Sequence, residues 1–225
     1  MDGKLIVFEG VEGAGKSTQL AQIHTWLSTE PQFQTLQQRG IIPDMIVTRE
    51  PGGTALGATL RSLLLDGTAT HTVNERAELL MYAADRAQHV DEVIRPALAK
   101  GCWVLCDRFV DSTVAYQGHG RGLDLALINC LNDIATGGLT SDLTLWLSLA
   151  VTTGLARSQR RGILDRMEAA DLSFHQRVQR GFEALASRHP QRIVAVAADQ
   201  DAEQVTQQIQ AIIKERLGTW YGHHF

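Results

Sequence analysis

The feature that most constrains this chain is an eight-residue pattern near its N-terminus, GVEGAGKS, from Gly10 to Ser17. It matches Gly-x-x-x-x-Gly-Lys-Ser and stands between the apolar run LIVF and the amphipathic run STQLAQIHTWL. This pattern between a strand and a helix is typical of a loop that binds phosphate, and the alternative is a glycine-rich turn without a ligand. We name Gly10–Thr18 the phosphate loop.

Each residue type in the phosphate loop has a physical role. Glycines let the backbone curl so that successive N–H groups face one anion, and the following helix adds partial positive charge. Lys16 can reach the outer phosphates, Ser17 can ligate Mg²⁺, and Thr18 adds a hydroxyl. We therefore expect a nucleoside triphosphate with Mg²⁺, although the loop alone does not separate a switch, a motor and a kinase. The residues expected to contact ATP are Gly10, Val11, Glu12, Gly13, Ala14, Gly15, Lys16, Ser17 and Thr18.

Composition limits the class of protein. The 225 residues are 44% hydrophobic, which is enough for one substantial core, so we expect a single domain over 1–225. A net charge of −4 argues against nucleic acid as a partner. The N-terminal run LIVF is too short for a signal peptide or a membrane span. The three cysteines lack metal-type spacing and are typical of reduced thiols, so we expect a soluble, cytoplasmic protein with no membrane partner.

Five short apolar runs alternate with amphipathic segments. The runs are continuous, which is typical of strands buried on both faces of a parallel sheet. Strand and helix in alternation predict an α/β fold with a parallel five-stranded sheet, helices on both faces, and ligands beyond the carboxyl ends of the strands. The predicted strands are Leu5–Phe8, Met45–Thr48, Cys102–Cys106, Leu143–Leu149 and Arg192–Ala198.

A long helix is predicted after the second strand and its following helix. Thr72 and Glu75 have the spacing of a capping box, so the helix should begin at about Asn74. Pro96 should bend or break it near its last turns, and Gly101 should close it.

The segment Ser148–Phe174 follows a predicted strand but is polar and rich in arginine. We interpret it as a mobile segment over the site rather than a separate domain. We name residues at about 150–170 the lid.

Four further clusters lie where predicted strands end or on an adjoining helix, where ligands bind. Arg49 and Arg108 can each bind a phosphate through two N–H groups, and Asp107 can orient a water on Mg²⁺. Tyr82 and Arg86 are four residues apart on one helix face and could frame a base. The alternatives are surface ion pairs for Arg49 and Arg108 and a core position for Tyr82. The clusters are TREPGGT (Thr48–Thr54), CDRF (Cys106–Phe109), DSTVAYQGHGRG (Asp111–Gly122) and MYAADR (Met81–Arg86).

A second phosphate site together with a base pocket indicates a phosphorylated nucleoside as acceptor. The phosphate loop, TREPGGT, DRF, STVAYQG and DRME, in this order and spacing, resemble thymidylate kinases over about residues 4–217. The resemblance implies a P-loop nucleoside monophosphate kinase fold and transfer of the γ-phosphate of ATP to dTMP with Mg²⁺, for dTTP synthesis. It also implies a homodimer.

The resemblance implies a role for each matching residue. Arg49 and Arg108 correspond to the arginines that bind the dTMP phosphate. Tyr82 corresponds to the aromatic residue that stacks on thymine, usually phenylalanine. Glu12 corresponds to an acid that hydrogen-bonds the 3′-OH, and Tyr116 to a tyrosine beside the sugar. The remaining base contacts implied are Arg86, Thr113 and Gln117. Independently of the resemblance, the residues expected at Mg²⁺ are Ser17 and Asp107, directly or through a water.

The charge that develops during phosphoryl transfer calls for a guanidinium, and the phosphate loop has none. Some members of the resembling family carry a catalytic arginine at the position of Gly13, whereas others carry basic residues in the lid. The second pattern is present here, so we expect Arg157 or Arg161 to join Lys16 and Arg108 as catalytic residues. The alternative is that the basic run is a solvated helix face.

Two other functions share these features in part. A deoxynucleoside kinase would need a carboxylate base near a neutral 5′-OH and no acceptor-phosphate arginine, which Arg49 argues against. A P-loop switch ATPase would lack the base pocket.

Overall fold

The computed structural model describes residues 3–65, 73–162 and 165–224, with the backbone but not the side chain of Arg161. One sheet has the strand order β2-β3-β1-β4-β5, and all neighbouring strands are parallel. The predicted five-stranded parallel sheet is therefore confirmed, and each strand bound lies within one residue of the predicted one. The strands are β1 (Leu5–Glu9), β2 (Met45–Arg49), β3 (Trp103–Asp107), β4 (Leu143–Ser148) and β5 (Ile193–Ala197).

Both faces of the central strand β1 are buried. Leu5 and Val7 belong to a smaller apolar cluster with Val90, whereas Ile6 and Phe8 belong to the larger cluster on the opposite face. Successive side chains of a strand point to opposite faces, so a strand covered on both sides must be apolar throughout. The helices thus close both faces of the sheet and leave the edge beyond the strand ends for a ligand.

Ten α-helices lie within the described ranges, together with π-helical segments at Val90–Ile94 and Val114–Gly120. None of these helices has the length and apolar character that a bilayer crossing requires. The helices are α1 (Lys16–Leu27), α2 (Pro31–Gln38), α3 (Ala55–Leu65), α4 (Glu75–His89), α5 (Arg95–Ala99), α6 (Val110–Thr113), α7 (Leu125–Thr136), α8 (Val151–Arg161), α9 (Leu172–Arg188) and α10 (Ala202–Tyr221).

The start of α4 has a different cap from the predicted one. Asn74 precedes the helix, and its side-chain oxygen accepts a hydrogen bond from the backbone N–H of Arg76 over 3.0 Å. Glu75 is the first helical residue, and Thr72 lies outside the described residues. The cap is therefore a single asparagine, a residue type that is strongly preferred at this position.

The interruption predicted from Pro96 is present. After α4 the chain passes through the π-helical segment Val90–Ile94 into α5, where Pro96 is the second residue. Proline lacks the N–H that a regular helix needs there, and a π-helical turn is one way to accommodate its ring. Gly101 follows α5 with a φ of 85°, so the helix ends where the sequence predicts.

Candidate active site

The phosphate loop joins the end of β1 to the first residue of α1. Gly10, Gly13 and Gly15 have φ values of 144°, 70° and 91°, in the region that favours glycine. Lys16 begins α1, and its Nζ donates to the carbonyl oxygens of Gly10 and Val11 over 3.0 Å each. The loop therefore has the curled backbone that its glycine pattern predicts, and the amine lies folded against it.

The charge state of Lys16 depends on its neighbours. Burial lowers the pKa of Lys16, and the positive charge of Arg108 lowers it further, while Glu12 and Asp107 oppose the shift. Two cations held this close are most stable with an anion between them. The pair is therefore suited to bind phosphate.

Two oxygen atoms that suit Mg²⁺ meet at the end of the phosphate loop. Ser17 lies in the first turn of α1, and Asp107 ends β3, the neighbour of β1. Ser17 Oγ donates to Asp107 Oδ2 over 3.0 Å. Over the residues described, no three His, Cys, Asp or Glu side chains group as metal ligands. An ion here would have few protein ligands, which suits Mg²⁺ because phosphates and water commonly complete its shell.

Glu12, Arg108 and Tyr116 form a closed hydrogen-bonded group beside the phosphate loop. Arg108 Nη2 donates to Glu12 Oε2 over 2.8 Å and to the Tyr116 hydroxyl over 3.1 Å. That hydroxyl donates to Glu12 Oε1 over 2.7 Å. Arg108 has a φ of 71°, and its Nη1 donates to the Gly10 carbonyl over 3.2 Å. Three predicted site residues from two distant parts of the sequence therefore meet at one edge of the sheet.

The ionisation of this group follows from its burial and its charges. Burial alone would raise the pKa of Glu12, but Arg108, Lys16 and the Tyr116 hydrogen bond outweigh it and lower the pKa to about 2. Burial raises the pKa of Tyr116 well above its usual range. Near neutral pH the group therefore contains a carboxylate, a neutral phenol and a guanidinium.

Glu9 holds the segment after β3 in place. It is fully buried, and its Oε1 accepts from the backbone N–H groups of Phe109 and Ser112 over 2.9 and 3.1 Å. Its Oε2 accepts from the Ser112 hydroxyl over 2.6 Å. Burial raises the pKa of Glu9 to about 7, against the opposing charge of Arg108. Glu9 was not predicted, and its one signal in the sequence is an acid at a strand end directly before the phosphate loop.

A cleft of about 660 Å³ lies beyond the carboxyl ends of the strands and contains these groups. Its walls include the phosphate loop from Glu12 to Thr18, whereas Gly10 and Val11 lie behind them and contribute carbonyl groups to Lys16. The structure therefore brings the two predicted sets of residues to one cleft. The predicted acceptor residues that line it are Glu12, Arg49, Tyr82, Arg86, Arg108, Thr113, Tyr116 and Gln117.

Arg86 reaches the cleft with most of its hydrogen bonds already made. Its Nε donates to Glu50 Oε2 over 2.8 Å, and its Nη1 donates to Thr113 and Asn132 over 2.9 Å each. Its Nη2 donates to the Phe109 carbonyl over 3.1 Å. The guanidinium is nearly fully buried, so its observed contacts hold α4 against the segment after β3.

The model of one protein family, described as thymidylate kinase, matches residues 8–209 of this chain. A thymidylate kinase of Cyanothece sp. is 54% identical over 228 aligned positions, which cover 98% of this chain and 97% of the relative. The chain belongs to the thymidylate kinase family.

Other members of the thymidylate kinase family agree in length and fold. A thymidylate kinase of Trichodesmium erythraeum is 52% identical, and the alignment covers 98% of this chain and 99% of that relative. The crystal structure of thymidylate kinase from Ehrlichia chaffeensis aligns with a TM-score of 0.72 at 30% identity, over 95% of this chain and 99% of that chain. The fold is therefore the P-loop nucleoside monophosphate kinase fold that the resemblance implies.

In this member of the thymidylate kinase family, α8 contacts the phosphate loop backbone to backbone. A Cβ atom on Gly154, in the first turns of α8, would overlap the carbonyl oxygen of Glu12. A Cβ atom on Gly13 would overlap the carbonyl oxygen of Gly154, and the φ of Gly13 is 70°. No side chain fits at Gly13 in this arrangement, so the alternative expectation, an arginine at this position of the loop, is excluded sterically.

The lid arginines predicted to be catalytic differ in what the structure describes. Arg157 lines the cleft, and its Nη1 donates to the Ala198 carbonyl over 3.3 Å. Ala198 follows β5, and nearby Gln200 also lines the cleft although no sequence pattern indicated it. The side chain of Arg161 lies outside the described residues, so its role stays a prediction. Arg160 is exposed.

Arg61 adds a second guanidinium on the side of Arg49. It lies on α3, lines the cleft, and donates from Nη1 to the Pro51 carbonyl over 2.9 Å. Burial lowers the pKa of Arg61, and the charge of Arg49 adds to that shift. Arg61 was not predicted, although a lone charged residue in the run ALGATLRSLLL after TREPGGT was a signal for it.

Proposed function

We propose that this chain transfers the γ-phosphate of ATP to dTMP, giving ADP and dTDP. Membership of the thymidylate kinase family supports this reaction. The observation that carries it is that the phosphate loop and the Glu12–Arg108–Tyr116 group face one cleft, with Tyr82 on its wall. A cleft with two cationic phosphate sites and an aromatic wall suits two nucleotides placed end to end.

Phosphoryl transfer depends on in-line placement and on neutralising charge rather than on covalent chemistry. In this proposal the loop N–H groups and Lys16 bind the donor phosphates. Arg108 and Arg49 bind the acceptor phosphate. Arg108 donates to the loop carbonyl of Gly10, so the acceptor phosphate would lie directly beside the donor loop.

The nucleoside part of the acceptor would be recognised by neighbouring groups. Tyr82 offers a ring face for stacking on thymine, and Thr113 and Gln117 offer polar groups at the base edge. Glu12 is ionised, so it can accept a hydrogen bond from the sugar 3′-OH. The buried Tyr116 hydroxyl lies against Glu12 and would leave little room for a ribose 2′-OH.

Ser17 and Asp107 would hold Mg²⁺, and when bound the ion would neutralise charge on the donor phosphates. Arg157 or Arg161 would meet the charge that develops on the transferred group, as guanidinium groups do in this chemistry. The lid would close over the nucleotides and exclude water, which limits hydrolysis of ATP. It would do so within a single domain over 1–225.

The proposal extends to a homodimer that works in the cytoplasm. Leu80 on α4 is 56% exposed and Ile134 on α7 is 73% exposed, and Leu56, Leu63 and Leu127 nearby are also exposed. Helix α4 packs against both α3 and α7, so these exposed apolar side chains lie on neighbouring helices, which a second copy could cover. The three cysteines are free thiols, which supports a reducing compartment.

One assay tests the reaction against its alternatives. ATP consumption is measured with thymidine, with dTMP, with dUMP and with no acceptor. Turnover that requires dTMP supports the proposal. Preference for thymidine would indicate a deoxynucleoside kinase, and equal rates without an acceptor would indicate an ATPase. Light scattering of the purified chain tests the dimer, and a monomer at assay concentration would contradict it.

A further inference from the structure

Glu78 is a fully buried carboxylate in the first turn of α4, and the proposed reaction does not use it. Its Oε1 accepts a hydrogen bond from Gln117 Nε2 over 2.8 Å. Its Oε2 lies 2.6 Å from Nη2 of Arg166 and accepts a longer hydrogen bond from Nη2 of Arg121 over 3.4 Å. The Arg166 contact is an ion pair without the angle of a hydrogen bond. A buried carboxylate of this kind is stable only with such partners.

The partners of Glu78 come from different parts of the site. Gln117 belongs to the π-helical segment Val114–Gly120 and lines the acceptor side of the cleft. Arg121 follows that segment directly. Arg166 lies in the second half of the lid, in the turn at 165–170. One carboxylate therefore joins the acceptor wall to the lid.

The turn at 165–170 is fastened at more than one point. Arg166 Nε donates to the Leu64 carbonyl over 2.8 Å, at the end of α3. Its neighbour Met167 is buried and lines the cleft. The Sδ atom of Met167 accepts a hydrogen bond from Arg121 Nη2 over 3.7 Å. The turn therefore forms part of the cleft wall as long as Arg166 stays paired.

We propose that Glu78 is a positioning residue that couples the lid to the acceptor side of the cleft, an inference that rests on the function proposed above. It orients the Gln117 amide on one side and holds Arg166 on the other. Tyr82 is four residues later on the same face of α4, so the aromatic wall and the anchor move together. Loss of the charge at Glu78 releases both sides, and the acceptor site loses its order before the donor site does.

The test is Glu78→Gln, which keeps the size of the side chain and removes its charge. The glutamine at position 78 has only one oxygen that can accept a hydrogen bond. Its NH₂ group therefore points either at the Gln117 amide donor or at the arginine donors, and a donor facing a donor is unfavourable. The KM for dTMP should rise roughly tenfold or more, because losing a hydrogen bond to a charged group weakens an interaction by about this factor. The KM for ATP should stay within about twofold, since the donor loop does not contact Glu78. Glu75→Gln, on the exposed surface one turn earlier, is the matched control and should change neither constant.

Two further variants separate coupling from simple packing. Glu78→Asp keeps the charge and should show a smaller rise in the KM for dTMP than Glu78→Gln. Arg166→Gln should raise this KM as well, and the double variant should be no worse than the more affected single one, because both changes break one contact. If the two effects add, or if folded Glu78→Gln keeps the wild-type KM for dTMP, the coupling role is wrong.

Hydrogen exchange of the turn at 165–170 provides a readout that does not depend on activity. Exchange there should be faster in Glu78→Gln than in wild type or in Glu75→Gln. If the wild-type protein does not phosphorylate dTMP, the proposed function is wrong. The exchange measurement still tests Glu78 independently, because unchanged exchange at 165–170 in Glu78→Gln would show that Glu78 does not hold this turn. Should Glu78→Gln not fold, Arg166→Gln carries the same measurements, since its side chain is partly exposed.

Discussion

Arg108 and Glu12 are joined by a 2.8 Å contact between Nη2 and Oε2, and this pair lies between the phosphate loop and the acceptor side of the cleft. An incoming phosphate must share Arg108 with Glu12. The carboxylate therefore keeps the free site close to neutral and orients the guanidinium before a nucleotide arrives. This accounts for an acid inside a loop that binds anions.

Replacement of Glu12 by glutamine tests this arrangement. The pKa of Glu12 is lowered to about 2, so the residue is a full anion at assay pH and the change removes one charge. Loss of a charged hydrogen bond to the acceptor should raise the KM for dTMP roughly tenfold or more. The KM for ATP should change by less than about threefold, since the loop amides and Lys16 remain. A larger loss for ATP than for dTMP would place Glu12 on the donor side instead, and an equal loss would contradict a specific role in acceptor binding.

Tyr82 should act through its ring rather than its hydroxyl. Tyr82→Phe keeps the ring face and should leave the KM for dTMP within about threefold. Tyr82→Ala removes the ring and should raise that KM by roughly tenfold or more, as expected for a lost base–aromatic stack. Steady-state kinetics of both variants decide this, and a large effect of the phenylalanine variant would assign the recognition to the hydroxyl.

Gly154→Ala should be destabilising although alanine is the better helix former. The added Cβ overlaps the Glu12 carbonyl oxygen, so α8 must move away from the phosphate loop. We expect a loss of about 1–3 kcal/mol in the free energy of unfolding, as for overpacking, together with a lower kcat. Gly218→Ala on α10 is the control, because nothing lies within 4 Å of its Cβ position. It should gain up to about 1 kcal/mol. Similar changes in the two melting curves would show that the Gly154 contact is unimportant.

The lid arginines should affect the rate more than acceptor binding. Arg157→Ala or Arg161→Ala should lower kcat by roughly a hundredfold or more, with a modest effect on the KM for dTMP, as for other donors aimed at developing charge. Arg160→Ala is the matched control, because Arg160 is exposed. Near-normal kcat in both Arg157→Ala and Arg161→Ala would show that neither lid arginine is catalytic.

Glu9 gives the folding equilibrium a predictable pH dependence. Burial raises the pKa of Glu9 from 4.5 to about 7, so between these values the folded chain holds a proton that the unfolded chain has lost. The contribution of Glu9 to stability is therefore lost as pH rises through this window, by up to about 3 kcal/mol. Glu9→Gln cannot ionise and should lose less stability between pH 5 and pH 7.5. Urea unfolding at both pH values measures this, and equal losses in the two proteins would contradict it.

The sheet could be predicted from the sequence because each strand is marked by a short apolar run of its own residues. Leu5 to Phe8 are all apolar since helices cover both faces of β1. The edge strands β2 and β5 also have apolar runs that mark them as strands, although they are only partly buried, so the expectation of burial on both faces was wrong for them. The π-helical segments could not be predicted in this way. An extra residue in a turn has no residue pattern of its own, and Pro96 indicated an interruption but not its form.

The site residues also divide into those that a local motif predicts and those that depend on partners distant in the sequence. Gly15, Lys16 and Arg49 stand in short motifs that imply their surroundings. Glu9 and Glu78 do not, because their partners lie about a hundred residues away or in the lid, and an isolated glutamate is usually exposed. Arg86 was predicted to reach the cleft and does so, but its internal hydrogen bonds depend on a fold that no local pattern specifies.

The glycine-to-glycine seat of α8 on the phosphate loop also limits how such a protein can evolve. Gly13 and Gly154 leave no volume for a Cβ atom at either position. Mutation of Gly13 to arginine would therefore destabilise the folded protein unless α8 had already moved away from the loop. If the catalytic arginine lies in the lid, as proposed above, its replacement by an arginine at position 13 requires that α8 move first, so this one contact sets the order of the two steps.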